Sequence, residues 1–124
     1  MTSRCADKIS LQEKLASFTE TWTPKIVADV DGYGVRVAKI EGDFVWHSHA
    51  ETDEFFMVLD GAFRMDFRDR SVALSKGDCI VVPRGVEHKP YAAETCAILI
   101  FERVDVVNTG DGAATDRTVI AERI

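Results

Sequence analysis

The chain has 124 residues, 46% of them hydrophobic, with a formal net charge of -6 at pH 7 and a sequence pI near 5.0. That length suits one domain with a sizeable core. The acidic balance argues against nucleic acid or an anionic membrane as partner, since both need basic patches, and no run of about 18 apolar residues offers a membrane-spanning helix. The start, Met1 to Lys8, lacks the apolar core of a signal peptide. Cys5, Cys79 and Cys96 are odd in number and show no CxxC spacing. They read as free thiols in a reducing cytoplasm. Cys79 and Cys96 lie in apolar runs and read as small core residues, whereas Cys5 is expected to be exposed.

Ser10-Leu11-Gln12-Glu13 has the form of a capping box, and Leu11, Leu15 and Phe18 recur at helical spacing. A short amphipathic helix over about residues 11–18 follows, and Pro24 closes this segment. Strands and turns come next. Lys25–Val30 and Val35–Ile40 read as strands, with Glu41-Gly42-Asp43 as a turn. Phe44–His49 reads as a further strand, then Glu54–Leu59. Asp60-Gly61 is a hairpin signal. Ala62–Phe67 alternates, with Phe63, Met65 and Phe67 on one face. Ser71–Leu74, Cys79–Val82, Val86–His88 and, after Pro90, the apolar run Thr95–Phe101 complete the set. Short, evenly spaced strands with Gly and Pro turns point to an all-β sandwich or barrel. Thr118–Ile124 is a last edge strand or a flap. The chain divides into an N-terminal segment (1–24), a barrel (25–107) and a C-terminal tail or edge strand (108–124).

All three histidines, His47, His49 and His88, lie between Gly42 and His88. In a strand, positions i and i+2 point the same way, so His47 and His49 can aim at one point. Glu54 and His88 can join them from neighbouring strands. Imidazoles with one carboxylate suit zinc, iron, manganese, nickel or copper. Glu51 and Asp53 are alternative carboxylates, although a solvated acidic turn is the simpler reading of both. By parity Val45, Phe56, Val58 and Val86 would line the interior. Phe55, Met57, Leu59 and Trp46 would face the other way, too apolar for open solvent. Arg36, Arg64 and Arg84 are candidates for gripping a substrate anion, against the plainer reading of surface charges. Tyr91 is a weaker candidate for an acid near the mouth.

These residues resemble the two motifs of the cupin superfamily. Gly42, four residues, His47-Ser48-His49, four residues, Glu54, six residues and Gly61 match the first motif. Gly77, five residues, Pro83-Arg84-Gly85, two residues and His88 match the second. Gly42 stands one residue closer to His47 than the family pattern, and Ala92 stands where the pattern has Asn. The resemblance implies a double-stranded β-helix (jelly-roll) barrel holding one divalent ion, iron, manganese, nickel or zinc, on His47, His49, Glu54 and His88. It is similar to mannose-6-phosphate-isomerase-type cupins. It implies a homodimer and a mononuclear metalloenzyme acting on a small polar or anionic substrate, of dioxygenase, sugar isomerase or epimerase, or decarboxylase type. The alternative it leaves is a cupin that binds a metal or small ligand without catalysis. Catalytic residues beyond the metal ligands are not assigned.

Overall fold

The computed structural model describes residues 6–112 and 114–124; Cys5 lies outside them. One helix, α1 (Leu11–Ala16), precedes strands β1 (Lys25–Val30), β2 (Tyr33–Asp43), β3 (Glu54–Asp60), β4 (Ala62–Phe67), β5 (Ser71–Ser75), β6 (Cys79–Val82), β7 (His88–Arg103) and β8 (Glu122–Arg123). The fold is an all-β jelly-roll barrel. The strands run in the order β5-β4-β7-β2-β1-β8, and β3 pairs with both β6 and β7.

The long β7 is the hub. Its first part, His88 to Tyr91, pairs antiparallel with β4. Its second part pairs with β2 on one side and β3 on the other. Between the parts the register to β2 jumps: Ile40 faces Cys96, while Gly42 faces Ala92. The residues between, Ala93, Glu94 and Thr95, are exposed. Gly42 has φ +78°, a left-handed conformation that lets β2 follow the irregularity without a Cβ penalty. The expected turn at Glu41-Gly42-Asp43 is therefore a kink within one strand, and this absorbs the one-residue departure in the motif. Pro90 does not end a strand either. Its neighbours in pairing are Met65 and, across a loop, the Phe44 amide, which donates to the Pro90 carbonyl at 3.0 Å.

Alternation decides what lies inside. On β3, Glu54, Phe56 and Val58 are buried while Phe55, Met57 and Leu59 are half-buried. On β7, Cys96, Ile98, Ile100 and Glu102 point inward. The main core combines these with Ala38, Ile40, Phe44, Phe63, Met65, Leu74, Val82 and Trp22. Trp22 comes from the segment ahead of the strands. It stacks on Phe44 at 4.8 Å, and its indole N–H donates to the Glu41 carbonyl at 2.8 Å.

The Ser10 hydroxyl caps α1 by accepting from the Glu13 amide at 3.2 Å, as the capping pattern predicts. The helix stops at Ala16, two residues short of expectation. Leu11 and Leu15 pack with Leu59 on a second cluster around Phe18, Val27 and Val37, so the helix lies on its own barrel. Cys96 is a buried core residue, but Cys79 is exposed, because β6 turns it outward at the strand's first position. No helix among the described residues is long and apolar enough to cross a membrane.

Candidate metal centre

His47 and His49 do not lie on a regular strand. The segment from Phe44 to Ala50 carries a single bridge, His47 with His88. In it the His47 amide donates to the His88 carbonyl at 3.1 Å and the His88 amide to the His47 carbonyl at 2.9 Å. This pair of bonds sets the two rings side by side, with centroids 4.2 Å apart. The shared inward direction of His47 and His49 survives, but other contacts hold it. The Gly85 amide donates to the His49 carbonyl at 2.8 Å, which ties the Pro83-Arg84-Gly85 turn to the histidine segment.

The C-terminal tail holds the other side. The Asp111 amide donates to the Ser48 carbonyl at 3.1 Å, and the Asp111 carboxylate accepts from the Ala50 amide at 2.5 Å. Gly110 (φ +81°) lies so close to Ser48 that a Cβ there would collide with the Ser48 carbonyl oxygen. Only glycine fits both the conformation and the space. This support was not expected from the sequence, where the tail read as a loop.

The ligand-type atoms of His47, His49, Glu54 and His88 all lie within 4.8 Å of one another, and all four residues are buried. Donors about 2.1 Å from one ion would stand about 3.0 Å apart when adjacent and about 4.2 Å when opposite, so the spread fits one centre. Glu51 and Asp53 are not part of the cluster. Asp53 instead accepts from the Arg84 amide at 2.9 Å and pairs with its guanidinium. Glu54 is the carboxylate because it opens β3 on the same face as Phe56 and Val58.

The hydrogen bonds fix the ring tautomers. Nδ1 of His47 lies 2.9 Å from the Val45 carbonyl, and Nδ1 of His88 lies 2.9 Å from the Val86 carbonyl. A carbonyl only accepts, so each Nδ1 carries the proton and each Nε2 presents a lone pair in the neutral ring. Nε2 of His88 is 3.0 Å from Glu54 Oε1, and Nε2 of His49 is 3.4 Å from the same oxygen. Nε2 of His49 has no hydrogen-bond partner. A lone pair facing a buried carboxylate, beside an unpartnered imidazole nitrogen, calls for a positive charge among them. A divalent cation meets that demand, and the donor set suits it.

Electrostatics agree. Burial, with the nearby His88 ring, pushes the His47 imidazole down to about 4 from 6.5. The ring is thus neutral and able to ligate at ordinary pH. Burial alone would raise the Glu54 carboxyl, but the Glu102 carboxyl and the close imidazoles of His49 and His88 outweigh it and hold the group well below the usual carboxylate range. Glu102 moves the other way, because burial, the Glu54 charge and its hydrogen bond to Glu54 together favour the protonated acid over the pull of Arg36. Two carboxyls at close quarters share one proton, and Glu54 is the ionised partner.

For metal-free protein a pH effect follows from His47. Its folded pKa lies below its unfolded value, so between pH 6.5 and 4 the unfolded chain binds more protons there. Its contribution to stability is full above 6.5 and is lost as pH falls towards 4, with a slope of at most about 1.4 kcal/mol per pH unit. Urea melts of metal-free wild type and His47→Gln at pH 7 and 5 check this. The wild type should lose more stability than the variant on acidification, and equal losses would contradict a neutral buried His47.

Glu102 and Arg36 were not both expected here. Each is about 2% exposed or less, and Arg36 Nε lies 3.5 Å from Glu102 Oε1. Arg36 also donates from Nη2 to the carbonyls of Arg103, Val104 and Val106 at 3.2, 3.0 and 3.4 Å. It is an internal brace rather than a surface charge. Glu102 continues the inward parity of Ile98 and Ile100. Extending the apolar run by one residue would have found it. Arg64 pairs with Asp66 at 2.6 Å and lies over Tyr91, so neither Arg64 nor Tyr91 joins the cluster. Val86 is exposed, because the chain is still in its turn there and β7 begins only at His88. Val45 is half-buried against the core.

Beside the cluster is a cavity of about 40 Å³, lined by Trp22, Phe44, Phe56 and Ile100 with His47, Glu54 and Glu102 among others. The space meets the His47 and Glu54 side chains at one end and is walled mainly by apolar side chains elsewhere.

A jelly-roll barrel with three imidazoles and a carboxylate converging inside it defines a cupin with a candidate metal site. The chain belongs to the cupin domain family, whose model matches residues 35–102. It is 34% identical to the uncharacterized protein YdbB of Bacillus subtilis (strain 168) over 80 residues, 64% of this chain and 65% of that relative's length. Among solved structures it resembles a cupin-2 domain containing protein from Shewanella frigidimarina, at 43% identity and a TM-score of 0.76, over 77% of this chain and 93% of that one. It also resembles protein NMB1881 from Neisseria meningitidis, at 31% identity and a TM-score of 0.73, over 78% and 99%.

Proposed function

We propose that this chain is a mononuclear metalloenzyme of the cupin family, with His47, His49, Glu54 and His88 holding one divalent ion, iron, manganese, nickel or zinc. The observation that carries the reading is the buried convergence of four ligand-type atoms, one of them an imidazole nitrogen with no other partner. Three neutral imidazoles and one carboxylate leave a divalent ion with net positive charge and, in octahedral geometry, two open positions. A metal there supplies Lewis acidity or, if redox-active, activation of dioxygen. The chain's own residues supply the rest. The Val45 and Val86 carbonyls orient two rings, the Glu102 carboxyl holds Glu54 ionised, and the apolar wall from Trp22 to Ile100 excludes water. The reaction classes in keeping with such a site are oxygenation, isomerisation or epimerisation, and decarboxylation of a small molecule.

A second reading, a metal-binding or ligand-binding cupin without turnover, is favoured by the small volume of the cavity beside the cluster, about 40 Å³. Other parts of the proposal concern the whole molecule. A second copy would cover the half-buried outer row of Phe55, Met57, Leu99 and Phe101 beside exposed Val81, giving a homodimer. The free thiols of Cys79 and Cys96 and the acidic charge suit a cytoplasmic protein that binds neither nucleic acid nor membranes.

The test is elemental analysis of purified wild type beside His88→Ala. Near one metal per chain in the wild type, lost in the variant, is the expected result. No metal in the wild type after reconstitution with each of the four ions would overturn the proposal.

A further inference from the structure

None of the four ligand-type side chains is open to solvent, since His47, His49, Glu54 and His88 are all buried. An ion or ligand therefore reaches them only if part of the wall moves, and the walls differ in how firmly they are held. Most of the cavity lining belongs to hydrogen-bonded ladders: Ala38 and Ile40 on β2, Phe56 on β3, and Ile98, Ile100 and Glu102 on β7 among them. Trp22 and Phe44 lie outside the ladders but are members of the main core. The Trp22 amide and indole N–H also donate to the Lys39 and Glu41 carbonyls, at 2.8 Å each.

Residues 106–111, just past β7, form a wall of a different kind. Asn108 lines the inner cavity, while Val106, Val107 and Asp111 line a depression of about 180 Å³ beside His49. None of the side chains of this strap belongs to either apolar cluster. Among the described residues, its hydrogen bonds to the barrel are three. The Asp111 amide donates to the Ser48 carbonyl at 3.1 Å, the Ala50 amide to the Asp111 carboxylate at 2.5 Å, and Arg36 Nη2 to the Val106 carbonyl at a long 3.4 Å. Asn108 and Thr109 bond instead to the return leg of the tail, at Arg117, Thr118 and Val119, so those bonds can travel with the strap. The return leg touches the barrel through Arg117, whose Nη2 donates to the Asp43 carbonyl at 3.2 Å. A segment with few buried apolar contacts and few bonds to its surroundings opens at lower cost than a strand ladder.

We infer that residues 106–111 are a lid over the metal centre, which opens to let the ion and any ligand pass, and that Asp111 is its latch. This rests on the metal reading and goes beyond it. The cavity of about 40 Å³ is then the space of the closed state. The latch grips only backbone on either side of His49, and no residue of the strap is in the ligand cluster. Opening therefore speeds entry and exit alike.

Full-length wild type, Asp111→Ala and Asp111→Asn are compared with zinc(II) as the probe. Uptake is measured by elemental analysis, association by stopped-flow mixing against a zinc-responsive dye, and dissociation by transfer to excess EDTA. Asp111→Ala should raise both rates together by about fivefold, the worth of one hydrogen bond, with affinity moving less than either rate. Asp111→Asn keeps an acceptor for the Ala50 amide and should return both rates towards wild type. Faster dissociation with unchanged association, or no change in either rate, would overturn the lid while zinc uptake left the metal site standing. Hydrogen–deuterium exchange of the wild type reads the same opening without a substitution. The Ala50 and Asp111 amides should exchange together and well before the β3 and β7 ladders. Their exchange only along with the ladders would overturn the inference even if Asp111→Ala failed to fold. Absence of zinc uptake by the wild type would overturn both readings.

Discussion

His49→Ala should abolish metal retention while leaving the metal-free barrel close to wild-type stability. The reason is the asymmetry of its bonds. His49 is buried, but its Nε2 has no hydrogen-bond partner in the fold. Removing the ring therefore breaks no fold-stabilising hydrogen bond at that nitrogen and relieves an unsatisfied buried group. Its backbone contact to Gly85 remains. The residual cost is the lost packing of one ring in a polar pocket, about 1–2 kcal/mol. Metal affinity should drop far more. Loss of a group that only hydrogen-bonds a metal ligand typically costs about 10–100-fold, and loss of a direct donor should exceed that. Calorimetric titration with zinc and urea melts of the metal-free proteins measure the two effects separately. A variant that kept wild-type affinity would remove His49 from the ligand set. One that unfolded would mean that the ring is a structural member of the core.

Arg36→Met should be the most destabilising single change in the barrel, by about 3–5 kcal/mol, because it breaks a buried charged network from one side. The carbonyls of Arg103, Val104 and Val106, at and just past the end of β7, lose their donor, and Glu102 loses its cation. The Glu102–Glu54 pair then carries two carboxyls in a buried setting with less positive charge nearby. Replacing both partners, as Arg36→Met with Glu102→Leu, should recover part of the loss, since the uncompensated carboxyl goes too. Urea denaturation of the two single variants and the double variant gives the coupling. If Arg36→Met melted within about 1 kcal/mol of wild type, the guanidinium would be dispensable and the brace would lie elsewhere.

The same chain of contacts links stability to the site. Arg36 approaches Glu102, Glu102 shares its proton with Glu54, and Glu54 faces Nε2 of both His49 and His88. The carboxylate proposed to bind metal is therefore oriented from behind by a buried acid. Residues of this kind act through another side chain rather than on a ligand, and their removal is felt in affinity as well as in folding.

Much of this was readable in the residues themselves. Local rules placed most strands: β1, β4 and β6 fall where alternation and turn residues put them, and Ser10 caps α1 as its sequence pattern requires. The spacing of His47, His49, Glu54 and His88 named the cluster because inward direction on a strand repeats every second residue, and Glu54 on β3 obeys that rule. What the sequence could not decide were the long-range supports. His47 and His49 aim together without a strand to carry them, held by His88, Gly85 and Asp111 from distant parts of the chain. Gly110 looked like any loop glycine, and only its approach to Ser48 shows why a side chain there is excluded. Arg36 looked like a surface charge because composition favours that outcome. Its burial follows from pairing opposite Ile100, on the same inward face as Ala38 and Ile40. Periodicity is a property of neighbours along the chain. Which buried charge meets which carbonyl depends on how strands far apart in sequence are laid side by side, and only the tertiary structure determines that.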